Sequence, residues 1–175
     1  MERSLIIAGF GGQGVMLTGK ILGYAATDHN KKAVFLPQYG TQQRGGTASC
    51  NVILSDCKVG CPIVGTADSM MIFNQPSMEA FASRVKPGGV LFSNSTLCTR
   101  PDRDDITIYE LPVDDIAREL GSQRVANLVM LGAFIKESGM FTIEEIIATM
   151  KHLLEDHPEM MEINEKAIRK GASLV

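Results

Sequence analysis

The chain has no apolar run long enough to span a bilayer. Its opening, MERSLIIAGF, does not set a charged segment, a long apolar stretch and a small-residue cleavage site in series. A secretory signal is therefore not expected, and a cytoplasmic chain is. Nor is there a surplus of basic charge: seventeen Lys and Arg stand against twenty Asp and Glu, a net charge of −3. No cluster of Lys and Arg interleaves with aromatics as a nucleic-acid surface requires, so neither nucleic acid nor membrane is an expected partner. The four cysteines, at 50, 57, 61 and 98, are expected as free thiols rather than a disulfide framework. Cys57 and Cys61 have three residues between them, but no matching Cys or His pair follows, and no metal is expected.

Reaction centres of the familiar kinds are missing too. No serine sits in G-x-S-x-G, and Gly19-Lys20-Ile21 lacks the Ser or Thr of a Walker A loop. His29, His152 and His157 fall in or beside predicted helix ends and read as surface residues. Asp102 to Asp105 and Asp114-Asp115 read as turn and helix-start carboxylates. Catalytic residues are not expected on this chain.

What is present is a folded domain. At 175 residues, 45% hydrophobic and 21% charged, residues 1–175 suit one domain with a large core. SLIIA at 4–8 is a short apolar run ending at glycine, as a buried parallel strand does. A helix follows from Val15 to about Asp28, then a strand at Ala33–Leu36: a βαβ start. PQYGTQQRGG at 37–46 leaves no room for a crossover helix before TASCNVILS, so the strand at 47–55 is expected to run antiparallel to a neighbour. Further strands are expected at 69–73, 90–92 and 106–109. Ser77 is the expected N-cap of a helix through Val85, which Lys86-Pro87-Gly88-Gly89 ends as a turn. The last third reads as helical, with an all-round apolar helix at 125–135 interrupted by Asn127, and a capping box at Thr142–Glu145. The expected fold is α/β, Rossmann-like and three-layered: a mostly parallel sheet with at least one antiparallel strand and a helical C-terminal third.

Two segments are candidate sites. Gly9-Phe10-Gly11-Gly12-Gln13-Gly14 has the G-x-G-x-x-G spacing, which places backbone N–H groups and a helix dipole toward an anion such as a phosphate. The same glycines could merely permit a tight turn and close helix–strand packing. A dinucleotide site also needs a carboxylate at the end of the second strand, where this chain reads Phe35-Leu36-Pro37-Gln38-Tyr39; NAD is thereby disfavoured. Gln13 adds an amide that such a loop does not require. The second segment, Tyr39-Gly40-Thr41-Gln42-Gln43-Arg44-Gly45-Gly46, carries an arginine able to pair bidentately with a carboxylate or phosphate on a ligand, or with a neighbouring subunit. A solvated loop arginine fits its charge as well. Loops after strands ending near 9, 37, 73 and 93 are expected to open on one sheet edge, the usual ligand crevice of open α/β sheets.

GFGGQG at 9–14, YGTQQRGG at 39–46, the following TASCNVILSD and the apolar ANLVMLG at 126–132 resemble, in this order, the gamma subunit of 2-oxoacid:ferredoxin oxidoreductases. The resemblance spans nearly the whole chain, and RGGTA followed by a strand is closer to the 2-oxoglutarate and branched-chain branch than to the pyruvate branch. It implies a complex that converts a 2-oxoacid and coenzyme A to acyl-CoA, carbon dioxide and reduced ferredoxin. Thiamine diphosphate would be held between alpha and beta subunits and iron–sulfur clusters by other chains or domains, a ferredoxin-like delta subunit among the candidates. The gamma chain would be non-catalytic alone, with no cofactor firmly its own. Competing readings are a stand-alone NAD- or FAD-binding oxidoreductase at the glycine turn, and an assembly or regulatory subunit docking through the Arg44 loop.

Overall fold

The computed structural model describes residues 1–40, 46–155 and 157–175. Along the chain these form β1 (Glu2–Phe10), α1 (Val15–Asp28), β2 (Lys32–Tyr39), β3 (Thr47–Ser55), β4 (Ala67–Ile72), α2 (Gln75–Phe81), β5 (Val85–Asn94), β6 (Thr107–Leu111), α3 (Val113–Glu119), α4 (Ala126–Ser138), α5 (Ile143–Leu153) and α6 (Met161–Ala172). One sheet holds the strands in the order β2-β3-β1-β4-β5-β6. β1, β4, β5 and β6 are parallel, while β3 runs antiparallel to both neighbours, β1 and β2. β2 runs on through Tyr39, past the strand end expected at Leu36, and the seven residues left before β3 are too few for the crossover that a parallel neighbour needs. Reversing β3 leaves β2 pointing the same way as β1. The carboxyl ends of β1, β2, β4, β5 and β6 therefore share one edge, as the sequence predicts.

β1 is buried on both sides, which is why it reads as a continuous apolar run. Leu5 and Ile7 pack into the larger core with α1, α3, α4, α5 and α6; Ile6 and Ala8 face a smaller core with Met78 and Ala82. The result is the expected three-layer arrangement, with unequal outer layers. Two local expectations need correction. The N-cap of α2 is Asn74, whose side chain accepts the Ser77 N–H at 2.9 Å; Ser77 itself is buried. Pro76 in the first turn explains the earlier start, since proline has no N–H to leave unpaired. Lys86-Pro87-Gly88-Gly89 is not a terminating turn but lies inside β5, where the register against β4 shifts between Ala67 and Ser69. Gly88, at φ 77°, supplies the left-handed residue that this bulge needs.

Two glycines fix the position of α4. A β-carbon on Gly132 of α4 would run into the Ile168 carbonyl of α6, and one on Gly171 of α6 into the Val129 carbonyl of α4. The two helix backbones therefore touch, and α4 is held between sheet and α6 with every residue from Ala126 to Ile135 buried. At the opposite sheet edge Asp68 ties β4 to β1, accepting the Ser4 N–H at 2.8 Å and the Ser4 hydroxyl at 2.7 Å, with Lys86 Nζ at 2.7 Å.

Gly171→Ala is expected to destabilise the protein by about 1–3 kcal/mol through overpacking. Gly23→Ala, on the outer face of α1 where a β-carbon meets nothing within 4 Å, is expected to stabilise by about 0.5–1 kcal/mol; paired urea titrations check both. Burial pulls the Asp68 carboxyl upward, but the Lys86 ammonium and the Ser4 donors outweigh it and hold the group below its ordinary value. Its contribution is thus present above the unfolded-state pKa and lost as pH falls through the lower folded value. Stability curves of wild type and Asp68→Asn, measured by urea unfolding across pH, are expected to converge below about pH 4.

Candidate functional site

β1 ends at Phe10 and α1 begins at Val15, so four residues make the turn, and each of its glycines has a distinct reason. Gly12 (φ 103°) and Gly14 (φ 79°) occupy the left-handed region that side chains resist. A β-carbon on Gly14 would lie 2.5 Å from Cγ of Asn127, and one on Gly9 would lie 2.8 Å from Oε1 of Gln13 and 3.0 Å from Cβ of Phe73. Gly9 and Gly14 therefore make room for the protein's own side chains. At Gly11 and Gly12 a β-carbon would meet nothing within 4 Å, and these two face open space.

The amide of Gln13 explains itself here. Its Oε1 accepts the Phe10 N–H at 2.7 Å and Asn74 Nδ2 at 2.9 Å, and its Nε2 donates to the Phe73 carbonyl at 3.3 Å. Gln13 thus joins the end of β1 to the end of β4, across the point where the sheet changes winding direction. Asn94, at the end of β5, donates to the same Phe73 carbonyl at 3.1 Å and to Asp114 Oδ2 at 2.5 Å. From α4, Asn127 Nδ2 donates to the Gly14 carbonyl at 3.4 Å and to Thr18 Oγ1 at 3.2 Å, and Thr18 donates to the Gly14 carbonyl at 3.0 Å. Four amide side chains thus link the turn to the ends of β4 and β5 and to α4, each amide nitrogen having an acceptor.

Beside the turn lies a recess of about 180 Å³, lined by Gly12, Gln13, Phe73, Asp114, Gln123, Arg124 and Ala126. Arg124 is exposed and makes no salt bridge among the described residues. With the backbone of Gly12 it offers donors of the kind that a phosphate or carboxylate oxygen accepts. Asp114, in the first turn of α3, closes the recess on another side. No group of three or more His, Cys, Asp or Glu among the described residues could hold a metal ion. The recess can bind and orient an anionic group; it offers no nucleophile paired with a base.

The two sequence candidates do meet. Gly11 N–H donates to the Gly46 carbonyl at 3.1 Å, Gly40 N–H to the Thr47 carbonyl at 2.8 Å, and Tyr39 pairs with Ala48 in the β2–β3 ladder. Tyr39 is 74% exposed at this edge. Arg44 and Gly45 lie outside the described residues. Sequence reading missed Asn74, Asn94, Asp114 and Arg124. The first two had a signal: Ile72-Phe73-Asn74 and Phe92-Ser93-Asn94 each close an apolar strand on an asparagine. Asp114 and Arg124 had none, because only the fold brings α3 and the start of α4 to the glycine turn.

Gly14→Ala is expected to destabilise by about 2–4 kcal/mol, from backbone strain plus collision with Asn127. Adding Asn127→Ala is expected to recover part of that loss. A double-mutant cycle by chemical denaturation checks it, and strictly additive effects would contradict the contact.

The family model described as pyruvate ferredoxin/flavodoxin oxidoreductase matches residues 4–174. The chain is 35% identical over 172 residues to the ketoisovalerate oxidoreductase subunit VorA of Methanothermobacter marburgensis, covering 98% of this chain but 36% of that one. It is 34% identical over 176 residues to the 2-oxoglutarate synthase subunit KorC of Methanocaldococcus jannaschii, covering 98% and 92%. The crystal structure of the keto/oxoacid ferredoxin oxidoreductase gamma subunit from Geobacter sulfurreducens superposes with a TM-score of 0.85 at 28% identity, covering 99% and 95%. The chain therefore spans about a third of one relative's length and nearly all of another's. It belongs to the pyruvate ferredoxin/flavodoxin oxidoreductase family and has the fold of a gamma subunit.

Proposed function

We propose that residues 1–175 form one gamma-type domain serving a cytoplasmic 2-oxoacid:ferredoxin oxidoreductase. The assembly would convert 2-oxoglutarate or a branched-chain 2-oxoacid, with coenzyme A, to acyl-CoA, carbon dioxide and reduced ferredoxin. The observation that carries this reading is end-to-end similarity to KorC, together with the similarity to VorA. No helix of the described residues is long and apolar enough to cross a membrane. The partners are alpha and beta subunits holding thiamine diphosphate between them, with iron–sulfur clusters on other chains, a ferredoxin-like delta subunit among them.

On this reading the chain's own contribution is positional. Coenzyme A, when bound, supplies the thiol that accepts the acyl group. The recess beside the glycine turn has room for a phosphate-sized group rather than the whole cofactor, and Gly12 and Arg124 suit such a group's charge. Gln13 and Asn127 brace the turn that carries Gly12 before any ligand arrives, so little ordering cost falls on the backbone part of the site. Gly9, Gly11 and Gly14 serve the same turn, and Tyr39, Gly40 and Gly46 lie at the same edge; Arg44 and Gly45, outside the described residues, complete the proposed ligand-side or subunit-facing set.

Co-expression with candidate partner subunits tests the assignment. The purified complex is expected to carry thiamine diphosphate and to reduce ferredoxin with 2-oxoglutarate or 2-oxoisovalerate, whereas this chain alone turns over neither. Turnover by the isolated chain would overturn the reading. In the complex, Arg124→Gln is expected to raise KM for coenzyme A about tenfold, the loss of one charge-assisted contact, and to leave KM for the 2-oxoacid unchanged. Unchanged KM for coenzyme A would remove Arg124 from the site.

A further inference from the structure

The four cysteines divide into two kinds. Cys50 and Cys98 are buried, and burial pushes their thiols up to about 12 and about 11. At neutral pH they hold almost no thiolate, the form that reacts with oxidants. Cys57 and Cys61 are exposed and share the connection between β3 and β4.

That connection is anchored on both sides of the pair. At its start Lys31 Nζ binds Asp56 Oδ1 at 2.6 Å. At its finish the Arg84 guanidinium donates to the Val64 carbonyl at 2.6 Å and the Gly65 carbonyl at 2.9 Å, and the Val64 side chain is buried. Between these ties Val59 packs against the core on the α2 side of the sheet, while Cys57 and Cys61 on either side of it stand in solvent. The segment Cys57-Lys58-Val59-Gly60-Cys61 belongs to no helix or strand, so closing it disturbs no ladder or helix hydrogen bond. A β-carbon at Gly60 would meet nothing within 4 Å, which leaves the backbone room to bend there. Disulfide-linked residues have α-carbons about 4.4–6.8 Å apart, a separation that a turn of this length spans without stretching.

We infer that Cys57 and Cys61 are a redox modification site, a solvent-facing dithiol that hydroperoxides convert to an intrachain disulfide. One thiolate attacks a peroxide oxygen and the O–O bond breaks; the sulfur becomes a sulfenic acid, and the departing hydroxide takes up that thiol's proton as water. The second thiolate attacks the sulfenic sulfur, forming the S–S bond and expelling hydroxide, which takes up the second proton as water. Two thiols lose two electrons and two protons, and one hydrogen peroxide is reduced to two waters. The ring closes within a segment already pinned at Asp56 and Val64, so β3 and β4 keep their register.

Thiol mapping on the intact chain tests this. Iodoacetamide is expected to label Cys57 and Cys61 in the native protein and to reach Cys50 and Cys98 only after denaturant is added. After hydrogen peroxide, labelling of the native protein is expected to vanish. Trypsin cleaves after Lys58, inside the proposed ring, so the disulfide keeps two peptides joined as one species that reductant separates. Cys57→Ser and Cys61→Ser are each expected to abolish the joined species, with the remaining thiol trapped by dimedone as a sulfenic acid. If peroxide-treated wild type instead yields separate peptides carrying sulfinic acid, or disulfides between chains, the proposal is wrong.

Discussion

The architecture at the carboxyl edge depends on one side chain lying where a β-carbon would otherwise be. Because residue 9 is glycine, Oε1 of Gln13 lies back over the end of β1 and holds the Phe10 N–H and the Asn74 amide together. In a dinucleotide-binding fold the glycines at such a turn let the backbone approach a pyrophosphate. In this chain the first and last glycines let the backbone approach Gln13 and Asn127, and only Gly11 and Gly12 remain turned outward. A signature that suggests a cofactor is thus largely used for internal bracing. That agrees with the missing carboxylate at the end of β2.

The bracing reaches well beyond the turn. Asn127 reaches Gly14 because α4 lies tight against α6, which is possible only because Gly132 and Gly171 let two carbonyls approach. An asparagine in an otherwise apolar helix is costly unless its amide is satisfied. Here Thr18 and the Gly14 carbonyl satisfy it, and the cost of burial becomes a directional constraint on the loop. A small-residue contact at the back of the domain therefore sets the position of the candidate site at its front.

Most of the fold was legible because its signals are local. The apolar run at 4–8, the short 37–46 segment and the capping box at Thr142 each determine their element with little help from elsewhere. The errors fell where a long-range contact overrode a local rule. Ser77 resembles an N-cap, but Asn74 is preferred because its amide also meets Gln13. Pro87-Gly88-Gly89 resembles a stop, but pairing with β4 on both sides of it, at Val85 and again from Val90, keeps the segment within the strand. The site was half legible for the same reason. Its glycines are contiguous in sequence, whereas Asp114 and Arg124 arrive from helices a hundred residues downstream by roughly the span that the sheet must complete first.

The reversal of β3 has a further consequence. The registers that matter, Tyr39 with Ala48 and Phe10 with Thr47, are set by ladders that close before the 40–46 connection begins and after it ends. The residue that precedes β3 grips the turn, its carbonyl accepting the Gly11 N–H. The start of β3 thereby holds the glycine turn from the sheet side while Asn127 holds it from α4, so the edge that presents Gly11 and Gly12 is clamped from two layers at once.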